Sequence, residues 1–297
     1  MTDDGVKMIA IDGPNGKDEF KVWTKRVGSG PIKMLLLHGG PGLSCEYFEC
    51  FEDFLPQHGV EVIYYNQLGS HLSDQPSDPS LWTVARFLEE VEQVRQALGL
   101  EDFYLYGHSW GAQLGIEYGL KYGQHLKGLI LSSMTASIQA WQAYGNSLQA
   151  QMSPEAIAVI EQYQALGDFE NPAYKEARQE FDHRHICRVV PWPEPVTRTD
   201  SHLAKPVSNA LNATGFEDWD RWADLHNITV PTLLAVGRHD MMNPAEIEKM
   251  GTLIPNSSVL ICENGSHLVF WDDQAAYFSG LVQFLNDVEA GRDVRSS

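Results

Sequence analysis

Two periods of hydrophobic positions alternate along this chain. Phe20, Val22 and Trp23 sit among Lys21, Thr24 and Lys25, a pattern that predicts an antiparallel strand near a sheet edge. Ile32-Lys33-Met34-Leu35-Leu36-Leu37 is nearly unbroken apolar sequence, as a strand covered on both faces requires. Residues 60–65, 103–106 and 126–132 read the same way. Between these runs the period lengthens. Residues 46–55 predict a short aromatic helix. Residues 83–98 place Val84, Phe87, Leu88, Val91, Val94 and Leu98 at the i, i+3, i+4 spacing of a helix packed on a sheet, and Gly99 supplies the stop. Residues 113–122 repeat the helical spacing. Strand and helix in alternation predict an α/β fold with a mainly parallel central sheet and helices on both faces.

The alternation stops at Met134. From residue 134 to 225 no core-strand pattern is found. Ser153-Pro154-Glu155 predicts a helix start, with Gly167 as its end, and Asn171-Pro172 predicts another. Pro191-Trp192-Pro193-Glu194-Pro195 is expected to be loop. Residues 134–225 therefore read as a helical insertion, a cap (lid) on a core built from residues 1–133 and 226–297. Its Trp and Tyr residues either line a substrate pocket or form the insertion's own small core. The core pattern resumes with strands over 232–236 and 258–262 and a closing helix over 274–288. The last few residues read as a frayed tail.

Composition narrows the class. A chain of 297 residues can bury a large core without disulfide staples. A net charge of −19 argues against nucleic acid and anionic membrane surfaces as partners. Cys45, Cys50, Cys187 and Cys262 are scattered, with no zinc-like spacing, so no metal is expected. The polar, acidic start Met1-Thr2-Asp3-Asp4-Gly5 lacks the features of a signal peptide, and no apolar run is long enough to span a bilayer. A cytoplasmic protein with reduced thiols is the expectation.

The chemistry centres on Gly107-His108-Ser109-Trp110-Gly111, a G-x-S-x-G pentapeptide between a predicted strand and a predicted helix. A sharp strand-to-helix turn is the setting in which such a serine becomes a nucleophile. Ahead of it, His38-Gly39-Gly40-Pro41-Gly42 follows another core strand. In a hydrolase of this kind the backbone N–H groups of Gly40 and Trp110 are the expected oxyanion-hole donors. A serine hydroxyl needs a base at neutral pH, and the base needs an orienting group. Asp240 and His267 each fall in the loop after one of the last two predicted strands, at the sheet edge where Ser109 emerges. The order Ser109, Asp240, His267 is that of an α/β-hydrolase triad. His267 is assigned as general base and then acid, with Asp240 fixing its tautomer. His239 is the rival base, but adjoins the carboxylate in sequence. His38 and His108 read as structural.

These motifs, together with Asn66-Gln67-Leu68-Gly69-Ser70, Gly237-Arg238-His239-Asp240, Gly265-Ser266-His267, the Trp192-Pro193-Glu194-Pro195 segment and Trp219-Asp220, resemble the proline iminopeptidases (prolyl aminopeptidases) over nearly the whole chain. The resemblance implies an α/β-hydrolase fold and release of an N-terminal residue, proline preferred, from a small peptide, amide or ester substrate, with no cofactor or metal. Departures are visible. The family usually has Asp-Gln where this chain has Asn66-Gln67, and Gly where it has Ala112. Some members have Glu where it has Met241. The family's acidic cap segment, which holds the substrate amine, has no counterpart between His202 and Trp219, where residues 209–215 look shortened. Glu194, Glu217 and Asp218 are the candidate amine anchors, each also readable as a surface acid. The alternatives to an aminopeptidase are an amidase or carboxylesterase lacking the anchor, and a non-catalytic binding protein of the same fold.

Overall fold

The computed structural model describes residues 5–14, 16, 19–213 and 216–296, without the side chains of residues 210, 212, 213 and 296. The acidic start at residues 1–4 and the Thr214-Gly215 part of the shortened segment lie outside the described residues. Eight strands form one sheet: β1 (Val6–Asp12), β2 (Glu19–Val27), β3 (Ile32–Leu37), β4 (Val60–Tyr65), β5 (Phe103–His108), β6 (Leu126–Ser132), β7 (Thr232–Gly237) and β8 (Ser257–Cys262). Their order is β1-β2-β4-β3-β5-β6-β7-β8. Pairs from β4 to β8 are parallel, and only β1 and β2 run antiparallel to their neighbours. The pattern did not single out β1, whose alternating, mostly exposed residues suit an edge strand.

Alternate side chains of each strand enter opposite layers. Leu35 and Leu37 join Leu105, Val91, Leu114, Ile247 and Met250 on one face, under helices α2 (Val84–Leu98), α3 (Trp110–Tyr122) and α9 (Pro244–Leu253). Met34 and Leu36 join Tyr104, Tyr106, Phe51, Phe270, Phe278 and Leu281 on the other, under α1 (Phe51–Phe54), α10 (Val269–Asp272) and α11 (Gln274–Glu289). The chain runs from β3 outward to β4 and returns to β5 on the opposite side of β3. The carboxyl ends of β3 and β5 therefore flank the point where strand order reverses, the usual place for a ligand crevice in such a sheet.

Between β6 and β7 lie five helices: α4 (Ile138–Gln149), α5 (Pro154–Leu166), α6 (Pro172–His185), α7 (Glu194–Ser201) and α8 (Lys205–Ala213). Leu148, Met152, Ala156, Ile160 and Phe181 form a small apolar cluster of their own there. The loop expected over 191–195 ends earlier than its prolines suggest. Glu194 and Pro195 open α7, because a helix's first N–H groups have no partner and proline in the first turn loses nothing. The tail is also more ordered than expected. Residues 294–296 form a 3₁₀ turn, Val294 is buried in the layer under α11, and Arg292 pairs with Asp287. Among the described residues no helix is long and apolar enough to cross a membrane.

Candidate active site

Ser109 stands between the end of β5 and the start of α3 with φ 55° and ψ −123°, a conformation few non-glycine residues adopt. Its N–H donates to Ser132 O at 2.9 Å, and its hydroxyl makes no capping bond to the helix it precedes. The flanking glycines are needed for close backbone approach. A Cβ on Gly111 would lie 2.0 Å from Leu37 O, and one on Gly107 would lie 2.2 Å from Gly111 O. The first turn of α3 is thereby pressed against the end of β3.

His267 follows β8 and Asp240 follows β7. His267 Nδ1–H donates to Asp240 Oδ1 at 2.9 Å, which leaves Nε2 as the basic nitrogen. Asp240 is fully buried, and the same oxygen accepts Met242 N–H at 2.9 Å. The end of α6 supports both loops. His267 N–H donates to His185 O at 3.1 Å, Leu268 N–H to Ile186 O at 2.8 Å, and His185 Nδ1–H to His239 O at 2.8 Å.

Ser109 and His267 line one cavity of about 310 Å³ with Gly40, Trp110 and Gln113. Met134, Ile138, Trp141, Phe216, Met241 and Met242 make most of the remaining wall apolar. Trp110 N–H opens α3, where the first N–H groups lack an intrahelical partner. Gly39 N–H is already committed to Tyr47 Oη at 2.7 Å, so Gly40 is the neighbouring donor on this loop.

The two flanking histidines are held neutral. His38 accepts Gln67 N–H on Nε2 at 3.0 Å and donates Nδ1–H to Gly39 O at 2.9 Å, and burial pushes its pKa down to about 4. His108 donates Nε2–H to His267 O at 2.9 Å and accepts from Tyr47 Oη on Nδ1 at 3.1 Å; burial holds it well below the usual histidine range. A chain of bonds thus runs from Gly39 through Tyr47 and His108 to the backbone of His267. The sequence offered no sign of Tyr47, which meets these partners only through the fold. Gln113 was also missed, although its position one helical turn after Ser109 was a usable signal. His239 does not line the cavity, and its N–H bonds Gly265 O at 2.9 Å.

The three expected amine anchors stand away from the cavity. Glu194 is in the first turn of α7, exposed and paired with Arg198 at 2.6 Å. Glu217 and Asp218 are exposed in a 3₁₀ turn, where their neighbour Phe216 turns toward the cavity in their place. Among the described residues that line the cavity there is no carboxylate. At Asn66, Oδ1 accepts Cys45 N–H at 2.8 Å and Nδ2 has no partner among the described residues.

Elsewhere, Glu46, His71 and His202 bring possible metal-ligand atoms within 4.8 Å of one another. The His71 and His202 rings stack at 3.7 Å and 12°, so their in-plane lone pairs do not converge. Glu46 already accepts from Ser44, Arg198 and His202, which suits an ion-pair hub better than a metal.

The family model described as the alpha/beta hydrolase fold matches residues 33–274. A proline iminopeptidase of Flavobacterium johnsoniae is 44% identical over 95% of this chain and 98% of its own length. The chain belongs to the proline iminopeptidase family of α/β hydrolases. It is a hydrolase. The crystal structure of a proline iminopeptidase from Mycobacterium smegmatis superposes with a TM-score of 0.84 at 25% identity, over 96% of this chain and 99% of that one. That of VinJ superposes with a TM-score of 0.87 at 26% identity, over 95% and 99%. The mainly parallel eight-stranded sheet with helices on both faces is the fold expected of this family.

Proposed function

We propose that Ser109, His267 and Asp240 form the catalytic triad of this hydrolase, and that it releases an N-terminal residue, proline first, from small peptides or amides. What carries the reading is the His267–Asp240 bond opening onto the cavity that Ser109 also lines. His267 Nε2 takes the proton of Ser109 as its Oγ attacks the scissile carbonyl carbon. The N–H groups of Gly40 and Trp110 receive the developing oxyanion, where a fixed donor is worth most. Collapse breaks the C–N bond. His267 gives its proton to the leaving amine, and water then releases the acyl group by the same route in reverse. Strain at Ser109 keeps its hydroxyl clear of the helix and available for attack.

Residues 134–225 act as the cap over a core of residues 1–133 and 226–297. Supporting this, Ile138, Trp141, Ser208 and Phe216 contribute to the cavity wall. The enzyme works in the cytoplasm on this reading, in keeping with four unpaired, buried thiols.

The test is a set of paired steady-state rates on prolyl-β-naphthylamide, its N-acetylated form and a p-nitrophenyl ester, with Ser109→Ala as the blank. Turnover of the free-amine substrate above the acetylated one is expected. Turnover of the ester with none of the prolyl amide would sink the aminopeptidase reading.

A further inference from the structure

A substrate amine entering this cavity meets no carboxylate; it meets an unused carboxamide. Gln113 is fully buried, and neither Oε1 nor Nε2 has a partner among the described residues. The indole Nε1 of Trp141, on the same cavity wall, is also buried and has no partner among the described residues. Unmatched buried polar groups are costly and rare, and two on one small cavity mark a place where a ligand completes the bonding. Gln113 lies in the first turn of α3, four residues after Ser109, and lines the same cavity as Ser109 and His267.

We propose that Gln113, assisted by Trp141, binds the substrate's N-terminal amine in its unprotonated form; this rests on the aminopeptidase reading above. The argument is a count of donors and acceptors. A neutral proline amine offers one N–H and one lone pair. Gln113 Oε1 accepts that N–H, and the one lone pair accepts a single N–H, from Gln113 Nε2 or from Trp141 Nε1. A protonated amine offers two donors and no acceptor, so it would leave the N–H groups of Gln113 Nε2 and Trp141 Nε1 facing a cation with no lone pair to receive any of them. An apolar cavity without a counter-charge disfavours the cation further.

The charged and titratable groups on the surrounding elements do not change this balance. His267 faces the cavity with Asp240 behind it. His38 and His108 are neutral. Arg86 and Glu90 of α2 pair with each other, and Glu117 of α3 pairs with Arg221. Glu246 of α9 accepts from Thr135, and Tyr144 of α4 is raised above its ordinary value by burial. No carboxylate among them lines the cavity.

The experiment is kcat/KM against pH for wild type on the β-naphthylamides of proline and of 4-fluoroproline, whose amine is less basic, with p-nitrophenyl acetate as an amine-free reference. The ester profile reports the enzyme's base alone. The amide profiles should carry an added rise whose midpoint follows each substrate's own amine pKa. Gln113→Leu should raise KM for the prolyl amide about tenfold, the effect of one lost hydrogen bond, and by more than any change on the ester. Gln113→Glu should invert the limb, so that kcat/KM falls as the amine deprotonates. Identical midpoints for the two amides, or an unchanged prolyl-amide KM in Gln113→Leu, would overturn the proposal while leaving the aminopeptidase reading intact. Ester turnover without amide turnover in wild type would overturn both. The wild-type comparison needs no variant to fold.

Discussion

Trp110 donates its indole N–H to Gln67 Oε1 at 2.8 Å, joining the residue after Ser109 to the turn after β4. Gln67 also donates Nε2–H to His38 O and its backbone N–H to His38 Nε2, both at 3.0 Å. One side chain therefore fixes the start of α3 and the glycine turn after β3, the two elements that carry the proposed oxyanion donors.

Gln67→Leu would strand Trp110 Nε1–H and His38 O in a buried site. A loss of about 1–3 kcal/mol in stability is expected for each group left unpaired. Turnover should fall roughly tenfold or more with a smaller change in KM, because misplacing a donor affects the transition state most. Urea denaturation and steady-state kinetics on the same preparation check both parts.

Asp240→Asn keeps the shape of the buried site but presents an N–H or a weaker acceptor to His267 Nδ1. The base then loses its enforced tautomer. A fall in kcat of about 10⁴ is expected by analogy with the triad whose aspartate was changed the same way, with Tm little altered. Circular dichroism melts beside single-turnover rates separate the two effects.

Two glycine substitutions should act in opposite directions. Gly111→Ala drives a Cβ to 2.0 Å from Leu37 O and 2.8 Å from His38 O, backbone atoms that cannot step aside. A loss of about 4 kcal/mol or more, or no soluble fold, is expected. Gly145 lies inside α4, and nothing stands within 4 Å of its added Cβ. Gly145→Ala should stabilise by roughly 0.5–1 kcal/mol. Thermal melts of the pair provide the comparison.

Burial lowers the His38 pKa from 6.5 to about 4 in the folded chain. The unfolded chain then binds the extra proton first as pH falls. The stability His38 contributes is complete above its unfolded value and is lost between pH 6.5 and 4. The full loss amounts to about 3 kcal/mol. In His38→Asn this share of the acid slope disappears. Unfolding free energies of both proteins across that window, compared as a difference, cancel the other titrating groups.

The strands, the pentapeptide and the two late loops were legible because each rests on local pattern. Ile32–Leu37 is apolar at almost every position, too short a run for a core helix and the usual pattern of a strand covered on both faces. Ser109, Asp240 and His267 announce themselves by following strand endings. What the sequence hid is pairwise. Tyr47 is one aromatic among several in its segment, and nothing local says that it will stand between Gly39 and His108. The edge strand β1 hid because edge strands carry mixed residues. Pro195 misled because proline forbids the interior of a helix and suits its beginning. Glu194, Glu217 and Asp218 were picked for charge alone, and charge does not report which way a cap segment turns.

The support that α6 gives to the base has a consequence for how such enzymes can be recombined. His185 and Ile186 belong to the helical insertion, yet their carbonyls hold the backbone at His267 and Leu268, and the His185 ring holds His239 beside Asp240. On the roles proposed above, the segment between β6 and β7 mounts the base as well as covering the cavity. A chimera that imports another relative's residues 134–225 to change substrate choice also imports a foreign mount. Grafts that keep residues 185–186 and their three bonds should retain turnover, and those that cut through them should lose it even when the new pocket fits its ligand.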